Sequence, residues 1–151
     1  MDLRKKYMRK AIALSVDNIK NGGGPFGAVI VKDGKIISTG VNRVTSNNDP
    51  TAHAEVNAIR KAAKKLGTWR LDGCDMYVTL EPCPMCASAI IQSRIKTLYI
   101  GAMDNRAGAA GSVVDLFRVQ QFNHRVDVAI GLLHEPCAEI LKKFFQDLRT
   151  K

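Results

Sequence analysis

The sequence lacks long hydrophobic runs, internal repeats and low-complexity tracts. No segment approaches the roughly 20 consecutive apolar residues that a helix needs to span a bilayer, so we expect no membrane-spanning segment. The charged first stretch, MDLRKKYMRKAIALS, has neither a long apolar core nor a clean cleavage site, and we expect a helix there rather than an export signal. A cytoplasmic, reducing location is therefore expected, and it disfavours structural disulfides.

Acidic residues are scarce relative to basic ones. The 151 residues include 14 Asp and Glu against 23 Lys and Arg, for a formal net charge of +9. This excess favours a polyanionic partner such as nucleic acid, although a Lys-rich solvated surface would give the same count. With 46% hydrophobic residues the composition is that of a folded protein, and the length indicates one domain, residues 1–151.

The first half of the chain predicts a helix, a hairpin and a second helix. Apolar residues at helical spacing from Leu3 to Ile19 predict the first helix, which Asn21-Gly22-Gly23-Gly24-Pro25 ends. FGAVIV and KIISTGV flank an Asp-Gly pair, which predicts a β-hairpin. Asp49 as N-cap and Pro50 in the first turn predict the start of the second helix. Its buried face is expected to hold Ala52, Val56, Ile59, Ala63 and Leu66.

Helices and strands alternate in the second half. Strands are predicted at 75–80, 96–102 and 125–131, with helices at about 83–93 and 135–148. Ser112, followed three residues later by Asp115, predicts the start of a short helix between the last two strands. The order α-β-β-α-β-α-β-α-β-α indicates an α/β fold with one sheet covered by helices and with parallel strands in its later part.

Two of the predicted helices begin with unusual residues. One begins near His53-Ala54-Glu55, and the other begins at Glu81-Pro82-Cys83-Pro84-Met85-Cys86. In open α/β sheets, ligands collect where helices start beyond the carboxyl ends of strands. The two cysteines could be a redox pair at a helix N-terminus. The extra proline before the first cysteine and the order of the elements are not typical of a thioredoxin-like fold, however.

A zinc site is the other interpretation of these residues. His53, Cys83 and Cys86 supply three ligands, and three ligands with an open fourth position are the pattern of a catalytic zinc. A closed four-ligand site would recruit Cys74 or Cys137, but their spacings match no zinc ribbon or finger, and we expect both in the core.

Glu55 favours the catalytic interpretation. A carboxylate that lies beside a zinc site without being a ligand can take a proton from activated water and pass it to a substrate. Residues two apart are not neighbours on a regular helix. The geometry therefore requires His53 and Glu55 to project from the first turn into a shared cleft.

The combined pattern of His53-Ala54-Glu55 and Pro82-Cys83-Pro84-Met85-Cys86 resembles the H-x-E…P-C-x-x-C signature of the zinc-dependent cytidine deaminase superfamily. The resemblance implies a three-layer α/β/α cytidine-deaminase-like fold with a five-stranded mixed sheet. It also implies one Zn²⁺ per subunit, held by the histidine and both cysteines, with Glu55 as the proton shuttle of a hydrolytic deamination.

The two halves of the chain resemble different deaminases. From Trp69 to Arg149, the motifs YVTLEPCPMC, ASAIIQSRI, GAAGS and FNHRV and the closing FF-x-x-LR helix are similar to bacterial tRNA-specific adenosine deaminase. GGPFGA at 23–28 and VTSNNDP at 44–50 are more similar to bacterial guanine deaminase. The basic charge and the C-terminal motifs favour the tRNA enzymes. A deaminase of guanine or another free purine is the alternative.

The resemblance to tRNA deaminases implies conversion of adenosine to inosine at the wobble position of an anticodon stem-loop, by a homodimer. Asn42 would hydrogen-bond the base edge and Asp104 the ribose. RNA contacts are implied for Arg106, Asn123, Phe145 and Arg149. A turn at Asp104, a core position for Phe145 and a solvated Arg149 are the structural alternatives. Similarly, the Gly108–Gly111 segment fits either a phosphate site or a tight turn.

Overall fold

The computed structural model describes residues 2–150. Five α-helices lie at Leu3–Lys20 (α1), Val44–Asn47 (α2), Ala54–Leu66 (α3), Pro84–Gln92 (α4) and His134–Arg149 (α5). Five strands lie at Gly27–Lys32 (β1), Lys35–Val41 (β2), Asp75–Leu80 (β3), Thr97–Ala102 (β4) and Asp127–Ile130 (β5). A short 3₁₀ helix follows at Leu116–Arg118. Within residues 2–150, no helix combines the length and the apolar character needed to cross a bilayer.

The strands form one mixed sheet in the order β2-β1-β3-β4-β5. β1 pairs antiparallel with both β2 and β3, whereas β3, β4 and β5 run parallel. The predicted mixed sheet with parallel strands in its later part is thus confirmed. The hairpin is confirmed as well, because Asp33 and Gly34 both have positive φ, as a type I′ turn requires.

The two faces of the sheet carry separate cores. Alternate residues of β1, β3 and β4 point to opposite faces. Ala28, Ile30, Met76 and Val78 pack with α3 and α4, and the other face packs Val29, Val31 and Tyr77 with α1 and α5. The protein therefore has the three α/β/α layers expected from the sequence. Leu3, expected on the buried stripe of α1, is instead 52% exposed.

Helix α3 begins later than the sequence predicts. Asp49 does accept N-cap-like hydrogen bonds, from the backbone N–H of Thr51 at 2.9 Å and from its hydroxyl at 2.8 Å. These bonds close an Asx turn, which uses the same donor spacing as a helix N-cap. The helix starts at Ala54, and His53 is its extended N-cap residue.

The buried face of α3 is also different from the predicted one. The buried residues are Ala54, Glu55, Ala58 and Ala62. Ile59, Ala63 and Leu66 pack at the margin of the core, and Val56 is half-buried. Alanines face the sheet because α3 lies close to β2, so close that a Cβ on Gly40 would collide with the carbonyl of Ala54.

The segment after β4 corrects a second prediction. Ser112 does not start a helix, and Asp115 is the N-cap of the 3₁₀ helix, where its side chain accepts the backbone N–H of Phe117 at 3.1 Å. The Ser112 hydroxyl is instead directed to Glu81. α2 was not anticipated, and its C-cap is Asn48, a non-glycine residue with a φ of 51°.

Candidate metal centre and substrate groove

Two helix N-termini bring the predicted metal ligands together. His53 is the N-cap residue of α3, and Cys83 is that of α4, so both side chains project from the helix starts at the carboxyl ends of strands. Pro84 disfavours the helical conformation at Cys83 and fixes the first turn of α4. Cys86 follows within that first turn. Neither His53 nor Cys83 makes a side-chain capping hydrogen bond, so both are available as ligands.

The three side chains fit a zinc ion. His53 Nδ1 lies 3.7 Å from Cys83 Sγ and 3.5 Å from Cys86 Sγ, and all three ligand atoms lie within 4.8 Å of one another. Tetrahedral zinc with ordinary Zn–S and Zn–N bonds separates such atoms by about 3.6 Å. Within residues 2–150, Cys74 and Cys137 lie outside this cluster as buried free thiols, which confirms their expected core positions.

Cys83 and Cys86 shift each other's pKa in opposite directions. A hydrogen bond from the Cys86 thiol lowers the pKa of Cys83 to about 5. The same hydrogen bond, together with burial, raises the pKa of Cys86. Because metals take thiolate ligands, both cysteines would be deprotonated if they held zinc.

Glu55 lies beside the three ligands without belonging to the cluster. It sits in the first turn of α3, is only 8% exposed, and lines a small cavity together with His53 and Cys83. Burial raises the pKa of its carboxyl group. A carboxyl group with a raised pKa is suited to taking and returning a proton near neutral pH. The shared cleft that the sequence required is therefore present.

This inner cavity has a volume of about 160 Å³. Its walls come from the start of β1, the end of β3, the starts of α3 and α4, and residues after β4; they include Phe26, Glu55, Leu80, Cys83, Asp104 and Ala107. Such a volume is smaller than a typical binding pocket for a drug-sized molecule. It suits the reacting part of a ligand rather than a whole one.

A much larger groove, of about 1190 Å³, opens on the other side of His53. Its walls are the C-terminal part of α1, the Gly22–Gly24 loop, α2 and one face of α5. The basic residues along it are Lys20, Arg43 and Lys143, and Asp147 is acidic. The groove and the inner cavity share His53. A ligand can therefore lie in the groove with one end at the metal centre.

Asn42 and Asp104 both lie near the centre. Asn42 lines the groove, and its Oδ1 accepts the backbone N–H of Val44 at 3.1 Å, so Nδ2 is the part that can donate to a ligand. Asp104 lines the inner cavity, and its Oδ1 accepts the backbone N–H groups of Arg106 at 2.9 Å and Ala107 at 3.3 Å. The turn expected as the structural alternative is thus formed, and it leaves Asp104 at the cavity wall.

The four predicted RNA contacts lie outside both cavities. Arg106 is exposed on the loop after β4, and Asn123 is exposed where its carbonyl accepts Arg94 Nη1 at 3.0 Å. Phe145 is 39% exposed on α5, and Arg149 Nε reaches the carbonyl of Phe145 at 3.4 Å. The structure brings none of these four side chains to the groove wall.

Five residues of α5 line the groove, and of these only Phe144 was considered from the sequence, with Phe145, as a core residue or an RNA contact. The five are Ile140, Lys143, Phe144, Asp147 and Leu148. Their spacing of three and four residues defines one face of a helix, so the signal was present in the sequence. The partner face, α2, was not predicted, and without it the groove side of α5 could not be chosen.

Glu81 is a second residue that the sequence did not single out. It is 2% exposed and accepts four hydrogen bonds, from the backbone N–H groups of Asp104, Ala110 and Ser112 and from the Ser112 hydroxyl. Burial alone would raise the pKa of its carboxyl group, but these hydrogen bonds outweigh burial and lower it. The N–H groups of Ala110 and Ser112 are therefore not available for the phosphate considered at Gly108–Gly111.

Comparison with known proteins identifies relatives over nearly the whole chain. The family described as MafB19-like deaminase matches residues 3–149. The tRNA-specific adenosine deaminase of Bacillus subtilis (strain 168) is 43% identical over 145 residues, covering 96% of this chain and 90% of that protein. The guanine deaminase of the same strain is 53% identical over 106 residues, covering 70% of this chain and 68% of that protein.

A solved structure also matches nearly the whole chain. It comes from a study of A-to-I editing by tRNA:A34 deaminases at the wobble position of transfer RNA. It matches with a TM-score of 0.87 and 45% sequence identity, over 90% of this chain and 99% of that chain. The five-stranded mixed sheet is thus that of the cytidine-deaminase-like α/β fold.

Proposed function

The chain belongs to the MafB19-like deaminase family, and from this premise we propose that it is a zinc-dependent hydrolase that converts adenosine to inosine at the wobble position of a tRNA. The observation that carries the proposal is the cluster of His53, Cys83 and Cys86 beside the buried Glu55, at the inner end of a basic groove. The names of the relatives that cover nearly the whole chain support the tRNA substrate.

Zinc, when bound, supplies the Lewis acidity that makes water a nucleophile near neutral pH. His53, Cys83 and Cys86 would hold one zinc ion per subunit. This set of one histidine and two cysteines, with a glutamate that is not a ligand, is that of the nucleobase deaminases.

Glu55 would move the protons of the reaction. It would take a proton from the activated water and deliver it to N1 of the adenine ring, while water adds at C6. It would then take the remaining proton from the hydroxyl group on C6 and pass it to the amino group. The C6–N bond breaks as the C6 carbonyl of inosine forms, and the amino group leaves as ammonia. Because Glu55 is buried, little water would screen its hydrogen bonds to the substrate, and those bonds would be stronger than in water.

The groove supports a polynucleotide substrate over a free base. A free purine would occupy only a small part of about 1190 Å³. An anticodon loop can place its target base beside His53 while neighbouring phosphates lie along Lys20, Arg43 and Lys143. A base in a loop is already partly unstacked, so turning it into the inner cavity costs little.

Within this proposal, Asn42 would donate a hydrogen bond from Nδ2 to the base edge, and Asp104 would contact the ribose. Arg106, Asn123, Phe145 and Arg149 would contact RNA outside the groove wall, on the flanks of the stem-loop. A cytoplasmic homodimer completes the proposal on the resemblance alone, and sedimentation of the purified protein would check its mass.

A free-purine deaminase is the second candidate. One observation favours it, namely that the guanine deaminase relative has the higher identity, 53%, over its shorter match. That match covers 70% of this chain, whereas the tRNA deaminase covers 96%.

Ammonia release distinguishes the two candidates. The zinc-loaded protein is supplied in parallel with an anticodon stem-loop that carries a wobble adenosine and with free guanine. We expect ammonia and inosine from the stem-loop. Ammonia from guanine alone would contradict the tRNA proposal and would assign the activity to the free base.

A further inference from the structure

Glu81 is a buried carboxylate that the proposed chemistry does not use. It follows β3 directly and precedes the metal ligand Cys83 by two residues. Its oxygens are fully engaged by the segment after β4, which we call the β4 loop (residues 103–112). Oε1 accepts the N–H of Asp104 at 2.9 Å and the Ser112 hydroxyl, and Oε2 accepts the N–H groups of Ala110 at 2.8 Å and Ser112 at 3.1 Å.

The negative charge of Glu81 is balanced by these donors alone. Within residues 2–150, no lysine, arginine or histidine forms an ion pair with it. Burying a charge is costly unless hydrogen bonds replace its water, and charge-assisted hydrogen bonds are the strong ones. Four converging donors meet that condition. Gly108 makes the approach possible, because a Cβ there would collide with the carboxyl group.

The backbone of residues 81 and 82 also forms hydrogen bonds that hold the β4 loop. The N–H of Glu81 donates to the carbonyl of Ala102 at 2.8 Å, and the N–H of Ala109 donates to the carbonyl of Pro82 at 2.8 Å. The start, the middle and the end of the β4 loop are therefore all fixed to residues 81 and 82. Those residues lead directly into the first metal-binding cysteine.

The β4 loop has a place in the site because Asp104 and Ala107 line the inner cavity. The loop contains no named helix or strand. Its own backbone hydrogen bonds, such as those from the N–H of Gly108 to the carbonyl of Asp104 and from the N–H of Gly111 to the carbonyl of Val114, close turns within this region but do not attach it to the end of β3. Glu55 and the three metal ligands lie on other segments. Loosening the loop would therefore change how the substrate is held before it changes the metal or the proton shuttle.

We propose that Glu81 is a positioning residue that fixes the β4 loop, and with it Asp104, against the substrate. Glu81 borders the inner cavity, but both of its carboxylate oxygens are engaged by the β4 loop, and it acts through that loop. The proposal rests on the proposed function for the identity of the substrate. The attachment of the loop to Glu81 can be tested without any substrate.

The test uses Glu81→Gln, which keeps the shape but replaces one acceptor oxygen with an amide donor that faces other donors. Hydrogen exchange of the backbone amides of Asp104, Ala110 and Ser112 is expected to become about tenfold faster, or more. The amide of Ala87 in α4 is expected to keep its rate. Glu139→Gln, an exposed glutamate on α5, is the matched control and should change none of these rates.

Kinetics on the anticodon stem-loop test the role in binding. We expect Glu81→Gln to raise KM about fivefold or more with kcat within about twofold, and zinc content to stay at one per chain. In a background of Asp104→Ala, the same substitution should raise KM less than twofold, because the residue it positions is already gone. If Glu81→Gln folds poorly, Ser112→Ala, which removes one donor, should give a smaller change of the same kind.

Each other result counts against the inference. Unchanged exchange of the three amides would show that Glu81 does not hold the loop. An equal rise in KM with and without Asp104, or a loss of zinc, would assign Glu81 a general structural role instead. If the wild-type protein does not act on the stem-loop at all, the proposed function fails, and the exchange rates still decide whether Glu81 fixes the loop.

Discussion

The inner cavity and the groove share His53 but are built in different ways. The ends of strands and the first turns of α3 and α4 form most of the inner cavity, and packing against the sheet fixes them. The groove is formed by the Gly22–Gly24 loop, the short α2 and one exposed face of α5. The residues proposed for the chemistry thus lie on elements packed against the sheet. The surface proposed to bind the substrate lies mostly on segments with few buried residues. We therefore expect related deaminases that act on different substrates to differ mainly in the residues of the groove.

Removal of a metal ligand should have the largest effect on the inner cavity. We expect Cys83→Ser to reduce zinc from one per chain to below about a tenth and to abolish deamination, since two remaining ligands hold zinc weakly. Metal analysis of the purified protein measures this change.

Cys74→Ser is the matched control for that substitution, because Cys74 is a buried free thiol outside the cluster. It should leave the zinc content unchanged. Loss of zinc in Cys74→Ser would mean that the centre has a fourth protein ligand and is structural rather than catalytic.

Substitution of Glu55 should separate the chemistry from the metal. Glu55→Gln keeps the size of the side chain but cannot exchange protons, so we expect kcat to fall about 10²–10⁴-fold with zinc retained. Single-turnover measurements with the stem-loop would give the rate of the chemical step. Activity within threefold of wild type would exclude Glu55 as the proton shuttle.

Charge reversal on α5 should have the smallest effect and should act on the groove alone. We expect Lys143→Glu to weaken binding of the stem-loop about tenfold and to reduce the slope of log affinity against log salt by about 1 or more. The kcat at saturating substrate should be nearly unchanged. Binding measured across a salt series checks both numbers.

Arg149→Glu is the comparison for that variant, because Arg149 is on the same helix but lies outside the groove wall. It should also weaken binding and flatten the salt dependence, by about threefold or less in affinity. A larger effect from Arg149 than from Lys143 would place the RNA along the end of α5 rather than in the groove.

The sequence predicted the cluster of His53, Cys83 and Cys86 because much of its geometry follows local rules. Pro84 starts the helix directly after Cys83, and Cys86 follows Cys83 by three residues. The two thiols therefore lie on the same helix turn, whatever the position of the helix in the fold. The strand periodicity and the Asp-Gly turn likewise predicted the sheet and its hairpin. Only the meeting of His53 with the cysteines depended on the tertiary fold, and the family signature supplied it.

The rest of the site could not be predicted because its determinants are not local. The hydrogen bonds of Asp49 are the same in an Asx turn and at a helix N-cap, so the start of α3 was placed too early. Ser112 was assigned to a cap because its partner Glu81 lies 31 residues away. The sequence did not show which face of α5 lines the groove. Phe144 and Phe145 are adjacent, and the sequence alone does not tell which of them faces a neighbouring segment.

The unused capping positions of α3 and α4 have a consequence for the history of this fold. At both helix starts, the residue that would ordinarily be Ser, Thr, Asp or Asn is instead a proposed metal ligand, and its side chain makes no capping hydrogen bond. A related protein that no longer needs the activity could gain stability by a single substitution to Ser, Thr, Asp or Asn at either position. Selection for activity therefore keeps the N-termini of α3 and α4 without side-chain caps, at a cost in stability. A related sequence with Ser, Thr, Asp or Asn at both positions would belong to a deaminase-like domain that no longer catalyses the reaction.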